Sequence, residues 1–239
     1  MAPKAKAERP QRKGRKPLST VERIYGAIRE MTINYELKPN ASLNESELAA
    51  RLDVSRTPLR EALSRLVTEG MLEFYPNRGF FPRTLDDREV LDLYEVRAVL
   101  EGLAFELACV RADNAAIGGL RRYWESCRTN YDSLSAQKLA LRDEEFHVRL
   151  AKLSENTQLL KMLESINARI RFIRVINLES LGKRDPLYDE HLDIVAALEK
   201  RDRKGGRRTL EQHMRLSVAD AIAATKEGLA RIHLRRRTG

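Results

Sequence analysis

Three of the four histidines in the chain lie in segments whose spacing could bring them together with an aspartate. Asp143 and His147 are four residues apart in RDEEFHVRLAKL, so both side chains lie on the same face of a helix. His191 and His213 are each surrounded by apolar residues, and their midpoint is Asp202, in a polar break that contains glycine. A helical hairpin that turns there would bring both histidines to the same level of a bundle.

One carboxylate and three imidazoles form a ligand set for a divalent first-row metal, with zinc first and nickel or manganese as alternatives. Sites of this kind are built from facing helices in bundle cores. The alternative is that each histidine is a core residue satisfied by an ordinary hydrogen bond. His233 lies in a basic tail and is unrelated. The sequence therefore predicts a metal site formed by Asp143, His147, His191 and His213.

A second group of residues with a chemical role lies within residues 44–83, which read as two short helices, a tight turn and a two-stranded hairpin. Asn44 can cap the first helix, Asp53 lies in the turn, and Ser55 can cap the second helix. The apolar positions of the second helix that should face a core are Leu59, Ala62, Leu63, Leu66 and Val67. This is the pattern of a winged helix-turn-helix.

The opposite face of the second helix is polar, and it carries Arg56, Thr57, Arg60 and Ser64. Recognition helices present their first turns to the major groove, where arginine pairs with guanine and a threonine methyl contacts thymine. At the hairpin tip, Gly79 allows a positive φ, and Arg78 can enter the neighbouring minor groove. The alternative is a small helical pair with solvated arginines. We predict that this face binds double-stranded DNA.

The formal net charge of +9 is concentrated at the two ends of the 239-residue chain. Residues 1–16 hold seven Lys and Arg against one acid, and residues 231–239 hold four arginines and no acid. We predict a basic disordered arm at residues 1–17 and a basic tail at residues 229–239, both attracting DNA phosphates in a salt-sensitive way. The alternative is that these segments serve only solubility.

Composition also narrows the location of the protein. Cys109 and Cys127 have no metal or redox spacing, which fits a reducing compartment. No apolar run approaches the length of a membrane span, and the basic N-terminus lacks the apolar segment of a secretory signal. We expect a cytoplasmic protein with no membrane partner.

The sequence around these residues predicts the elements that position them, and together they indicate a mostly α fold with two domains. Residues 18–84 are predicted as a winged helix-turn-helix of three helices and a β-hairpin, its first helix starting at Ser19-Thr20. Residues 85–228 are predicted as an all-α bundle of about six helices. Breaks are expected at residues 113–114, 133, 156, 182–186 and 205–206.

Two segments resemble a known family. ELAARLDVSRTPLREALSRLVTEGML and NRGFFP resemble the DNA-binding signature of GntR-family regulators, and YEVRAVLEGLAFELA resembles the opening helix of the FCD-type effector domain of the FadR subfamily. The resemblance, over roughly residues 19–225, implies a bacterial homodimer that usually represses palindromic operators until a small carboxylic acid binds. Metal-containing members hold the ion at the floor of the effector cavity, at the positions of Asp143, His147, His191 and His213.

The resemblance also assigns roles to single positions of the DNA-binding face. Arg56, Thr57 and Arg60 match base- and phosphate-contacting residues, and Arg78 and Gly79 match the wing tip. Ser46 lies where some members have an arginine that touches DNA, which implies that this contact is altered or lost here.

In the second domain, Arg97 matches an arginine that points into the effector cavity, where its fork suits a carboxylate. The alternative for Arg97 is a surface ion pair with Glu101. Asn167, Arg171 and Arg174 share a face of a later helix and are further candidates for effector binding. They could equally form a solvated stripe.

These features predict a metabolite-responsive DNA-binding repressor, a homodimer with a bound divalent metal and a small carboxylic-acid effector. One alternative is a regulator that responds to the metal itself. Another is a metalloenzyme using the same Asp and His ligands, but four protein ligands leave less open coordination, and an enzyme would not need residues 44–83. We therefore predict a regulator and not an enzyme.

Overall fold

The computed structural model describes residues 19–34, 36–38, 40–83, 87–129, 131–180, 185–214 and 223, and within them the fold is mostly helical. The first elements are α1 (Thr20–Ile33), α2 (Glu45–Leu52), α3 (Arg56–Thr68), β1 (Leu72–Tyr75) and β2 (Gly79–Pro82). They are followed by α4 (Asp87–Arg111), α5 (Asn114–Cys127), a 3-10 turn (Tyr131–Ser133), α6 (Ala136–Leu153), α7 (Thr157–Ser180), α8 (Asp185–Glu199) and α9 (residues 203–214). The predicted basic segments at residues 1–17 and 229–239, and His233, lie outside the described residues.

The N-terminal elements form the predicted winged helix-turn-helix. Asn44 caps α2, because its side-chain oxygen accepts hydrogen bonds from the backbone N–H groups of Ser46 and Glu47. Asp53 ends α2 in the left-handed conformation with φ 52°, which makes the tight turn. Ser55 occupies the N-cap position of α3, but its side chain makes no cap hydrogen bond, so that part of the prediction was wrong.

One face of α1 and one face of α3 bury the apolar residues that hold this domain together. The buried side chains are Ile24, Ile28 and Met31 from α1, and Leu59, Ala62, Leu63 and Leu66 from α3, with Val67 partly buried beside them. Strands β1 and β2 pair antiparallel, with Leu72 opposite Pro82 and Tyr75 opposite Gly79. The turn between them contains Asn77 at φ 62°, and Gly79, the first residue of β2, has φ 87°, which gives the predicted hairpin tip.

Helices α4–α9 form the bundle, in which Trp124 of α5 is fully buried. Its indole N–H donates a hydrogen bond of 3.0 Å to the backbone oxygen of Tyr188. The indole also packs against the rings of Phe146 and His191, with centroids 5.1 and 4.2 Å away. The aromatic cluster thereby ties α5 to α6 and α8. Within the described ranges, no helix is long and apolar enough to span a membrane.

Helices α8 and α9 form a hairpin that turns at Arg201 and Asp202, close to the predicted midpoint. The predicted break at Gly205 and Gly206 is wrong, since both residues lie inside α9. A Cβ atom at Gly206 would overlap the ring of Phe105 on α4. The glycine at this position therefore permits close packing of two helices and does not end one.

Arg201 connects the α8–α9 turn to the end of α4. Its guanidinium donates hydrogen bonds to the backbone oxygens of Ala108, Cys109 and Ala112, at 3.3, 3.2 and 2.7 Å, and to Asn114 Oδ1 at 2.7 Å. The last carbonyls of a helix have no partner within the helix, so a charged donor placed there both satisfies and stabilises them.

We expect Arg201→Ala to lower the free energy of unfolding by about 1–3 kcal/mol, because it removes charge-assisted hydrogen bonds to several carbonyls at once. Urea unfolding followed by circular dichroism measures this change. Arg203→Ala is the matched control, since Arg203 lies two residues away and is exposed. Equal stability of the two variants would show that the Arg201 contacts do not contribute.

Candidate DNA-binding face and metal centre

The structure brings the four predicted metal ligands together in the interior of the bundle. Asp143 and His147 project from one face of α6, His191 from α8 and His213 from α9, and all four are buried. One potential ligand atom from each residue lies within 4.8 Å of every other. His191 Nε2 lies 3.0 Å from Asp143 Oδ1, and His147 Nε2 lies 3.4 Å from His213 Nε2.

Each histidine has an acceptor beside its outer ring nitrogen, Nδ1. Nδ1 of His147 lies 2.5 Å from Glu101 Oε2, and Nδ1 of His213 lies 2.7 Å from Glu190 Oε2. Nδ1 of His191 donates to the backbone oxygen of Leu187 at 2.6 Å. The hydrogen bonds of His191 and His213 hold the ring proton on Nδ1, and the nearby Glu101 carboxylate favours the same tautomer of His147. Each Nε2 then has a lone pair directed inward.

The charge states of these groups follow from burial. Burial lowers the pKa of His147, His191 and His213. The carboxylate of Glu101 opposes the shift of His147, and that of Glu190 opposes the shift of His213, without cancelling either. The three imidazoles are therefore neutral at neutral pH. Burial would raise the pKa of Glu101, but the adjacent Arg97 guanidinium and His147 hold the pKa of this carboxyl well below its usual range.

Three unprotonated nitrogens and a carboxylate oxygen thus face one another without a donor among them. Nε2 of His191, for example, has no hydrogen-bond partner within the described part of the chain. Lone pairs that converge in a buried site repel one another unless a cation lies between them. Nitrogen and oxygen ligands without thiolate suit divalent first-row metals, so the residues present fit such an ion.

A set of buried donors adjoins the acceptor cluster. Arg97 donates from Nε to Glu101 Oε1 at 2.6 Å, and Arg174 contacts the second oxygen of Asp143. Yet Nη2 of Arg97, Nη1 of Arg174 and both amide atoms of Asn167 are buried without a hydrogen-bond partner among the described residues. The alternative predicted for Arg97, an ion pair with Glu101, is present, but the pair is buried and not on the surface.

Arg171, predicted as an effector residue, is engaged elsewhere. Its guanidinium donates two hydrogen bonds of 2.8 Å to Glu144 and two of 3.2 Å to Glu30 of α1. Three residues along a helix correspond to a rotation that is roughly 60° short of a full turn, so Arg171 and Arg174 point in different directions. Asn167 and Arg174 are seven residues apart and share one face.

Sequence reasoning named Glu101 only as a surface partner of Arg97, and it missed Glu190. Glu101 follows Arg97 by one helical turn on a face that is otherwise apolar, and Glu190 precedes His191 directly. An acidic residue one helical turn after Arg97, or directly before His191, could have indicated a partner for a buried histidine. The seven-residue spacing from Asn167 to Arg174 was another detectable signal.

The exposed face of α3 and the wing together form a groove of about 540 Å³. Its lining includes Ser46, Arg56, Thr57, Arg60, Arg78 and Gly79. Ser64 lies on the same exposed side of α3, outside the lining of that groove. The guanidinium of Arg78 lies 5.5 Å from the centre of the Tyr75 ring and 5.3 Å from that of Phe81. These contacts hold a cation at the wing tip.

Comparisons with known proteins agree with this architecture. Residues 20–81 match the bacterial regulatory proteins of the gntR family, and residues 92–216 match the FCD domain. The Nta operon transcriptional regulator of Aminobacter aminovorans is 46% identical over 171 residues, which cover 72% of this chain and 80% of that protein. The HTH-type transcriptional repressor RspR of Escherichia coli is 24% identical over 206 residues, covering 86% and 90% of the two chains.

The solved structure of E. coli McbR/YncC has the same fold, with a TM-score of 0.74 at 23% identity, covering 86% of this chain and 98% of that one. The fold, the two matched domains and the relatives agree with one another. The chain therefore belongs to the GntR family, with an FCD domain behind its helix-turn-helix, and is a DNA-binding transcriptional regulator rather than an enzyme.

Proposed function

We propose that this regulator is a metabolite-responsive repressor, released from a palindromic operator by a small carboxylic acid bound beside a divalent metal, zinc first. The observation that carries the proposal is the set of buried unpartnered polar atoms on Arg97, Arg174 and Asn167. Arg174 contacts Asp143, and Arg97 contacts the Glu101 carboxylate beside His147. Because it acts on operator DNA in a bacterium, we place it in the cytoplasm.

The proposed effector class follows from the charge of these donors. Leaving guanidinium N–H groups buried and unpaired costs free energy, and a carboxylate is the partner whose geometry matches their fork. Asp143, His147, His191 and His213 would hold the ion, and the ion would supply positive charge to an effector oxygen. A di- or tricarboxylate could meet both the arginines and the ion, which a neutral metabolite could not.

The proposed homodimer has support in an exposed apolar stripe on α4. The stripe consists of Val96, Val99, Leu103 and Val110, spaced by three, four and seven residues. Apolar residues at this spacing form the seam along which two helices pack in a coiled coil. A second copy of the chain therefore fits this face of α4. Two copies would present two α3 helices to two half-sites, as a palindromic operator requires. The relative RspR is named a repressor, which supports the sign of regulation.

The proposed response is a shift in the balance between DNA-competent and DNA-incompetent arrangements. Arg171 offers a physical connection, since it bridges Glu144, next to Asp143, and Glu30 in the DNA-binding domain. A few kcal/mol of differential affinity is enough to release an operator.

The second candidate is a regulator that responds to the metal itself. The ligand set contains no thiolate and is deeply buried, which favours a retained ion over an exchangeable signal. Operator binding before and after chelation separates the two candidates, because only a metal sensor would switch on chelation alone.

For the metal, we expect His213→Ala to weaken Zn²⁺ binding by more than about 100-fold, because it removes a direct ligand. Glu190→Gln should weaken Zn²⁺ binding by roughly 10- to 100-fold, because the His213 ring loses the carboxylate that orients it. Competition with a chromophoric chelator measures both. Asp189→Asn, an exposed acid on the same helix as His191, should leave the affinity unchanged. Wild-type affinity in His213→Ala would rule out this site.

For DNA, we expect Arg56→Gln to weaken binding to a duplex selected by the wild-type protein by roughly 5- to 100-fold, the worth of one bidentate base contact. Fluorescence anisotropy at fixed salt gives the dissociation constants. Arg51→Gln is the control, since Arg51 is an exposed arginine that pairs with Glu36, outside the groove. Identical losses in both variants would indicate a general charge effect and contradict a base contact.

For the effector, we expect Asn167→Leu to raise the free energy of unfolding of the ligand-free protein by about 1 kcal/mol, because an unpartnered buried amide is removed. The same variant should no longer release operator DNA with a panel of small mono-, di- and tricarboxylates that release the wild type. Gln158→Leu, an exposed change on α7, should keep the response. Normal release by Asn167→Leu would exclude the amide from the effector site.

A further inference from the structure

An acidic residue lies inside the DNA-binding groove. Glu45 is the first residue of α2, lines the groove together with Arg56 and Arg60, and is only partly exposed. A carboxylate on such a surface repels DNA phosphates and lowers affinity. Glu47, in the same turn, also interacts favourably with the start of α2 and lies outside the groove lining, so that interaction does not require an acid inside the groove.

The contact made by Glu45 suggests its role. Its Oε2 lies 3.2 Å from Nε of Arg60, whose side chain is 56% exposed against 22% for that of Glu45. The more buried carboxylate therefore acts as a fixed point for the more exposed arginine. A pair this exposed adds little to folding stability, so its effect lies in the orientation of the guanidinium.

The neighbouring residue makes an equivalent contact. Nη2 of Arg56 donates a hydrogen bond of 2.7 Å to Oγ of Ser46. The first two residues of α2 thus each hold one arginine of α3. A long side chain that is oriented before binding loses less conformational freedom when it contacts its target.

We propose that Glu45 is a specificity-determining positioning residue, which holds Arg60 for base readout and keeps it from binding phosphate instead. With Nε directed to Glu45, both Nη nitrogens of Arg60 remain available for O6 and N7 of a guanine. Glu45 thereby lowers the affinity for DNA of any sequence and raises the discrimination between sequences. This inference rests on the proposed recognition of an operator.

The test is selection of binding sites from random double-stranded DNA by the full-length protein. Wild type should enrich a half-site containing a guanine position that Arg60→Gln no longer prefers. In Glu45→Ala, the preference for that base should fall roughly 5- to 100-fold, which is the worth of a bidentate contact. Binding to unselected DNA should become tighter, and its salt dependence should steepen by about one phosphate contact.

Three further variants sharpen the outcome. Glu47→Ala removes the same charge from the same helical turn and should leave the selected sequence unchanged. Glu45→Ala combined with Arg60→Gln should lose no more preference than Arg60→Gln alone, because both act through one contact. Glu45→Gln keeps a hydrogen-bond acceptor and should be intermediate, and it replaces Glu45→Ala if circular dichroism shows that variant to be unfolded.

The results separate this inference from the proposed function. If wild type enriches no common sequence, operator recognition fails and the role of Glu45 fails with it. If wild type enriches a site and the Glu45 variants select it with unchanged preference, only the role of Glu45 is overturned. A loss at a position that Arg60→Gln does not affect also overturns it.

Discussion

The bundle is organised around a buried convergence of lone pairs. Nε2 of three histidines and a carboxylate oxygen of Asp143 share a small volume, and each ring is held in that orientation from its outer side. Without a cation this arrangement is electrostatically unfavourable, and with one it would clamp α6, α8 and α9 together. The turn at Arg201 and the packing of Gly206 against Phe105 serve this convergence, because they set where α9 lies.

Helix α7 connects this interior to the DNA-binding domain. Along it, Arg174 contacts Asp143, Ala168 packs into the core of the winged helix-turn-helix, and Arg171 bridges Glu144 and Glu30. A change in the charge balance at Asp143 therefore acts on a helix that also contacts α1. Coupling of the proposed kind would not need a chain of many intermediates, since one helix contacts both domains.

The sequence carried much of this organisation in short-range patterns. The four-residue spacing of Asp143 and His147, the midpoint of His191 and His213, and the apolar stripe of α3 all follow from helix geometry. These patterns do not determine how each helix is rotated about its axis or how the helices pack against one another. Whether Arg171 or Arg174 faces the site depends on roughly 60° about one helix axis, and a glycine pair such as that in α9 reads as a break until Phe105 is placed against it.

The packing of Trp124 has a practical consequence. It is the only tryptophan in the chain, and its indole stacks on the ring of His191, with centroids 4.2 Å apart and planes 26° from parallel. The excited state of an indole is sensitive to charge and to paramagnetic or heavy ions at such a distance. The emission of the native protein would therefore report on an ion or ligand bound beside His191, and libraries of compounds could be screened without labels or chemical modification.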